Sequence, residues 1–125
     1  MKEQPLEVWL DRWRSACRWR RRVEAELRHL ELTLAQWRVL DALATLLRET
    51  RDAVSQLEVA QRLEMDKATT SQVLRGLERR GLVDIGPAFG GPANRIILTK
   101  RGKSAAAQGH TVVESVSAGE CAPSW

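Results

Sequence analysis

Apolar positions along this chain change period in a fixed order, and the changes mark out its elements. Leu6, Trp9, Leu10, Trp13, Ala16, Cys17, Val23, Leu27 and Leu30 drift along one helical stripe, predicting a long helix over 5–31 with Pro5 in its first turn. Arg20 falls on the same stripe and needs a partner or an exit to solvent. Thr33 with Gln36 is a capping box that opens a second helix to about Leu47, with Trp37, Leu40, Leu43 and Ala44 inward. The polar stretch from Arg48 to Ala53 then reads as a connection.

From Ser55 the elements shorten. Ser55 and Glu58 form another capping box ahead of Leu57, Ala60 and Leu63. Asp66 is an N-cap for a helix over 67–80 whose Thr70, Val73, Leu74 and Leu77 share one face. Gly81 suits the left-handed position that ends such a helix. Leu82–Ile85 and Arg95–Leu98 are β-branched or apolar runs split by Gly86, Pro87, Gly90, Gly91 and Pro92, the pattern of a hairpin. Two crossing helices joined by a short turn and followed by a hairpin make a winged helix-turn-helix over 33–102. The fold class expected is mainly α with a small β-hairpin wing. Beyond the wing, Lys100 to Val116 reads as a final helix frayed at Gly109, so that 103–116 forms a short C-terminal helix. Residues 117–125 read as a disordered tail.

Charge sharpens this picture. Residues 67–103 hold eight Lys or Arg against Glu78 and Asp84, and 12–28 hold seven Arg against Glu24 and Glu26, although the whole chain is only +4. The rest is therefore net acidic. A basic stretch coinciding with a helix-turn-helix and wing points to duplex DNA. On the 67–80 helix the outward positions near the N-terminus are Lys67, Ala68, Thr69, Ser71, Gln72 and Arg75. Gln72 can pair bidentately with adenine, Ala68 and Thr69 can touch a thymine methyl, and Lys67, Ser71 and Arg75 suit phosphates.

The run DKATTSQVLRGLERRGLV, the later LTKRG and the upstream LTLAQWRVLDAL resemble the MarR family of bacterial transcriptional regulators over about residues 30–103. The resemblance implies a homodimer on a pseudo-palindromic operator, most often a repressor, with a small aromatic effector in many members. It implies an arginine at the wing tip. Here the tip is uncharged until Arg95, with Asn94 beside it, and these two are the wing contacts expected. It also implies dimerisation through the first helix and the helices after the wing. With only a short segment after Gly102, Trp9, Trp13 and Trp19 become the expected interface anchors.

A pocket between the first two helices, lined by Trp13 and Trp37, follows the family pattern. Cys17 among arginines, with Cys121 as resolving thiol, resembles the hydroperoxide-sensing branch, which however uses tyrosines that this chain lacks. Two distant cysteines give no disulfide framework, so a cytoplasmic setting is expected. No stretch reaches the length of a membrane span, and no signal peptide is visible. His29 and His110 lack metal-ligand spacing, so no metal or cofactor is expected. Nothing resembles a phosphate loop or a nucleophile motif, which argues against an enzyme. The alternative function is a winged-helix interaction module that sequesters another regulator by heterodimerisation.

Overall fold

In the computed structural model, which describes residues 5–50, 53–90 and 95–120, there are five helices and a three-stranded antiparallel sheet. The order is α1 (Leu6–Leu27), a 3-10 turn (Arg28–Leu30), α2 (Leu34–Thr50), β1 (Val54–Ser55), α3 (Gln56–Leu63), α4 (Lys67–Arg79), β2 (Val83–Ile85), a second 3-10 turn (Gly86–Phe89), β3 (Arg95–Leu98) and α5 (Lys100–Glu120). The sheet runs β1-β3-β2, with Ser55 opposite Arg95 and Ile85 opposite Ile96.

Each capping signal is used. Thr33 and Gln36 bond reciprocally at 3.0 Å in both directions. Ser55 Oγ accepts from the Glu58 N–H at 3.2 Å while Glu58 takes the Ser55 N–H at 3.0 Å. Asp66 accepts from the Thr69 N–H at 2.7 Å. Gly81 (φ 73°) ends α4 in a paired 6→1 and 5→2 bond, Leu82 N–H to Leu77 O and Gly81 N–H to Glu78 O, each 2.9 Å. Between α3 and α4 the turn is only Glu64, Met65 and Asp66, with Glu64 at φ 52°.

The core gathers Val23 and Leu27 of α1, Val39, Leu40 and Leu43 of α2, Leu74 and Leu77 of α4, and Ile96 and Leu98 of β3. Burying each such side chain contributes on the order of 1.5–3 kcal/mol. α1 is unlike the rest. Only Val23 and Leu27 are buried there, and its first half leaves Leu6, Trp9, Leu10 and Trp13 exposed. Arg20 resolves its position by leaving the core for solvent beside Glu24, 3.6 Å away.

Several boundaries depart from expectation. β1 is a two-residue strand that no run of residues announced. α2 continues through Arg48 to Thr50, with Arg48 donating to Thr45 Oγ1 at 3.3 Å. α5 is unbroken from Lys100 to Glu120, so the helix neither frays at Gly109 nor stops at Val116. Gly109 is a packing glycine: a Cβ there would fall 2.2 Å from Trp37 Cδ1. Gly102 does the same at the start of α5, where a Cβ would meet the Leu82 carbonyl oxygen at 1.8 Å. Residues 121–125 of the expected tail, Cys121 among them, lie outside the described residues.

Candidate nucleic-acid interface

The buried face of α4 is the one its periodicity predicts. Thr70, Leu74 and Leu77 are buried and Val73 packs against the core. Thr70 is held there by its hydroxyl, which donates to the Asp66 carbonyl at 2.8 Å. This fixes the rotation of α4 and leaves Lys67, Ala68, Thr69, Gln72 and Arg75 exposed along its outer side, with Ser71 half-buried. Gln56 of α3 donates to the Lys67 carbonyl at 3.2 Å and ties the two helices at their crossing.

Two of the outward side chains are already oriented. Thr69 Oγ1 donates to Asp66 Oδ2 at 2.8 Å, which fixes its hydroxyl at the cap. Arg75 donates to Ser71 Oγ at 2.8 Å, which draws the guanidinium back along α4 toward its N-terminal half. The Thr69 N–H and hydroxyl hold the Asp66 carboxyl below its ordinary value of 3.8, so it is a charged cap at neutral pH. That cap occupies the Thr69 N–H, so phosphate attraction at this end depends on Lys67 and on the helix dipole.

Arg80, at the far end of α4, reaches back to the start of α2. It donates to the Glu31 carbonyl and, at 3.4 Å, to Gln36 Oε1 of the first capping box. Arg95 makes the matching contact at the wing. Its Nη1 donates to the Ala53 carbonyl at 3.2 Å and stands 3.5 Å from Glu58 Oε1 of the second capping box. The hairpin tip carries no acidic residue to face Arg95. The partner comes from the opposite strand's helix cap, and the Ser55–Arg95 register delivers it. Asn94 lies outside the described residues.

The three tryptophans of α1 divide. Trp9 and Trp13 are 54% and 65% exposed, and Arg12 lies over the Trp9 ring at 4.9 Å from its centroid. Trp19 instead is half-buried and donates through Nε1 to Ser117 Oγ of α5 at 2.9 Å. It thus ties α1 to α5 within the protomer. Cys17 is a free, half-buried thiol on α1.

Trp13 is on the surface and Trp37 packs under α5. A cleft of about 800 Å³ opens between α2 and α5, with Ala44, Leu47, Leu98 and Ala106 in its walls and Asp41, Arg48, Lys103 and His110 around them. His110 stands 3.7 Å from Asp41 and 3.2 Å from Glu114.

A family model described as MarR family matches residues 30–88, which is the stretch from the end of the first 3-10 turn into the second. The fold agrees over a longer span. Rv2887, a MarR family protein of Mycobacterium tuberculosis solved in complex with DNA, superimposes with a TM-score of 0.75 at 28% identity, covering 96% of this chain and 85% of that one. The chain thus has a winged-helix fold and resembles the MarR family in sequence over residues 30–88. The same mycobacterial protein solved with salicylic acid gives a TM-score of 0.69 at 28% identity, over 97% of this chain and 85% of that one. An E. coli MarR mutant complexed with operator DNA gives 0.75 at 18% identity, over 92% and 80%, a likeness of fold alone. No curated protein matches the chain by sequence. No helix among the described residues is long and apolar enough to cross a membrane.

Proposed function

We propose that this DNA-binding transcriptional regulator acts as a homodimeric repressor, with α4 of each protomer in a major groove. The observation that carries this reading is the outer face of α4: Lys67, Ala68, Thr69, Gln72 and Arg75 exposed together on a helix whose opposite face is locked into the core. Gln72 is the base reader, and Lys67 and Arg75 hold phosphates. A two-fold dimer presents two such helices about one helical turn of DNA apart. The exposed Leu6, Trp9, Leu10 and Trp13 supply the apolar surface for that dimer.

Titration of selected duplexes at rising salt tests this. Binding that falls by about 10³- to 10⁵-fold between 50 and 200 mM salt is expected for six to ten phosphate contacts. Absence of binding at low salt, together with capture of a heterologous winged-helix partner, would favour the sequestering module instead.

The cleft between α2 and α5 supports a second element of the reading, a small aromatic acid as effector. Its apolar walls suit a ring, and Arg48, Lys103 and His110 at its edges suit a carboxylate. The mycobacterial relative was solved with salicylic acid and with p-aminosalicylic acid. Salicylate should raise the thermal midpoint of this protein and release it from DNA; Lys103→Ala should blunt both effects.

A further inference from the structure

Arg95 is the one cation offered by the wing, since residues 85–94 carry no charge at all. A wing that grips a phosphate or enters a minor groove by charge would need this guanidinium turned outward. It is turned the other way. Nη1 meets the Ala53 carbonyl at 3.2 Å and Glu58 Oε1 at 3.5 Å, and Arg95 itself is only half-buried, so water could have taken it instead.

Glu58 Oε1 is a junction. The same oxygen accepts the Ser55 N–H and the Ser55 hydroxyl, both at 3.0 Å, while the Glu58 N–H returns a bond to Ser55 Oγ. One carboxylate therefore starts α3, holds β1 and grips the first residue of β3. We propose that Arg95 is a positioning residue: through Glu58 and the Ala53 carbonyl it sets the wing's angle against α3 and α4, and DNA does not receive its charge. This rests on the DNA-binding reading for its consequence, though not for its geometry. It also implies that charge-dependent affinity comes from elements other than the wing.

Glu58→Gln separates the two roles by sign. Glutamine still accepts the Ser55 N–H in a capping box, so α3 keeps its start, but the charge facing Arg95 is gone. As a positioning pair, its loss weakens duplex binding about two- to fivefold, the range of an exposed ion pair, with the salt slope unchanged. Arg95→Ala then gives a similar loss, and the double variant is no worse than Arg95→Ala alone. If Arg95 instead held a phosphate, Glu58→Gln would leave binding unchanged or tighten it by freeing the arginine, and Arg95→Ala would lower the salt slope by about one.

Amide hydrogen exchange on the free protein gives a readout independent of DNA. Exchange at Ile96, Ile97 and Leu98 should quicken in Glu58→Gln and in Arg95→Ala, with circular dichroism confirming that both stay folded. Unchanged exchange at β3, or the phosphate pattern in the titrations, overturns the proposal. Faster exchange in a protein that binds no duplex would instead sink the DNA reading and leave the positioning role of Arg95 standing.

Discussion

Gly109 of α5 lies against the indole of Trp37, so closely that any β-carbon would fall 2.2 Å from Cδ1 and 2.8 Å from Nε1. Helix propensity argues against glycine here by about 1 kcal/mol. Packing outweighs it, because the ring of an α2 residue occupies the volume where a side chain would stand.

Gly109→Ala is therefore expected to destabilise the protein by about 1–3 kcal/mol, the usual penalty of overpacking, despite its better helix propensity. Gly119→Ala, on the same helix with nothing within 4 Å of its Cβ, should stabilise by up to about 1 kcal/mol. Urea unfolding of the two variants gives opposite signs if this is right. A stabilised Gly109→Ala would mean that Trp37 can move aside without loss.

Trp9 and Trp13 test the dimer. Both lie on exposed α1 surface, so replacing the pair by Ala removes no core packing. Each is worth roughly 2 kcal/mol or more as an interface anchor. The double variant should be a folded monomer at micromolar concentration by sedimentation, with operator affinity lost. Trp19→Phe should leave the dimer and cost about 0.5–1.5 kcal/mol of stability, the worth of its bond to Ser117. A double variant that remains dimeric would place the interface elsewhere.

Sequence preference should depend on one side chain more than its neighbours. Gln72→Ala is expected to cost about 1–3 kcal/mol on the best duplex and to relax the preference at one base position. Arg75→Ala should weaken all duplexes alike and lower the salt slope by about one. Equal loss on matched and mismatched duplexes for Gln72→Ala would remove it as base reader.

Acid should loosen the helix-turn-helix through its caps. The Ser55 N–H and hydroxyl, aided by Arg95, hold the Glu58 carboxyl below its ordinary 4.5, and Thr69 holds Asp66 below 3.8. A carboxyl whose folded pKa is depressed stabilises the fold above its unfolded value, and that contribution is lost as pH falls through the folded one. Stability should thus decline below about pH 4.5, and Asp66→Asn, which keeps the cap but not the charge, should flatten part of that decline. An acid limb identical in Asp66→Asn and the parent would remove Asp66 from the account.

Local chemistry explains what was legible in the residues. Thr33/Gln36, Ser55/Glu58, Asp66 and Gly81 each carry their own hydrogen-bonding logic within four residues, and every one is used as read. The inward face of α4 followed from period alone. What escaped was long-range. β1 is two residues long and exists only because β3 offers an edge. The roles of Trp19, Trp37 and Gly109 depend on where α5 crosses α1 and α2, and helical spacing says nothing of that crossing. Arg95 was read within its hairpin, whereas its partner lies across the sheet.

On α4, the side chains that enter the core and those that face outward do not overlap. Thr70, Leu74 and Leu77 belong wholly to the interior, and Lys67, Ala68, Thr69, Gln72 and Arg75 wholly to the outside. Arg80, bonded to Glu31 and Gln36, clamps the far end independently of both sets. The operator can consequently drift, or be redesigned, by exchanging a few outward side chains while the scaffold beneath stays the same: such a regulator can acquire new genes without learning to fold again.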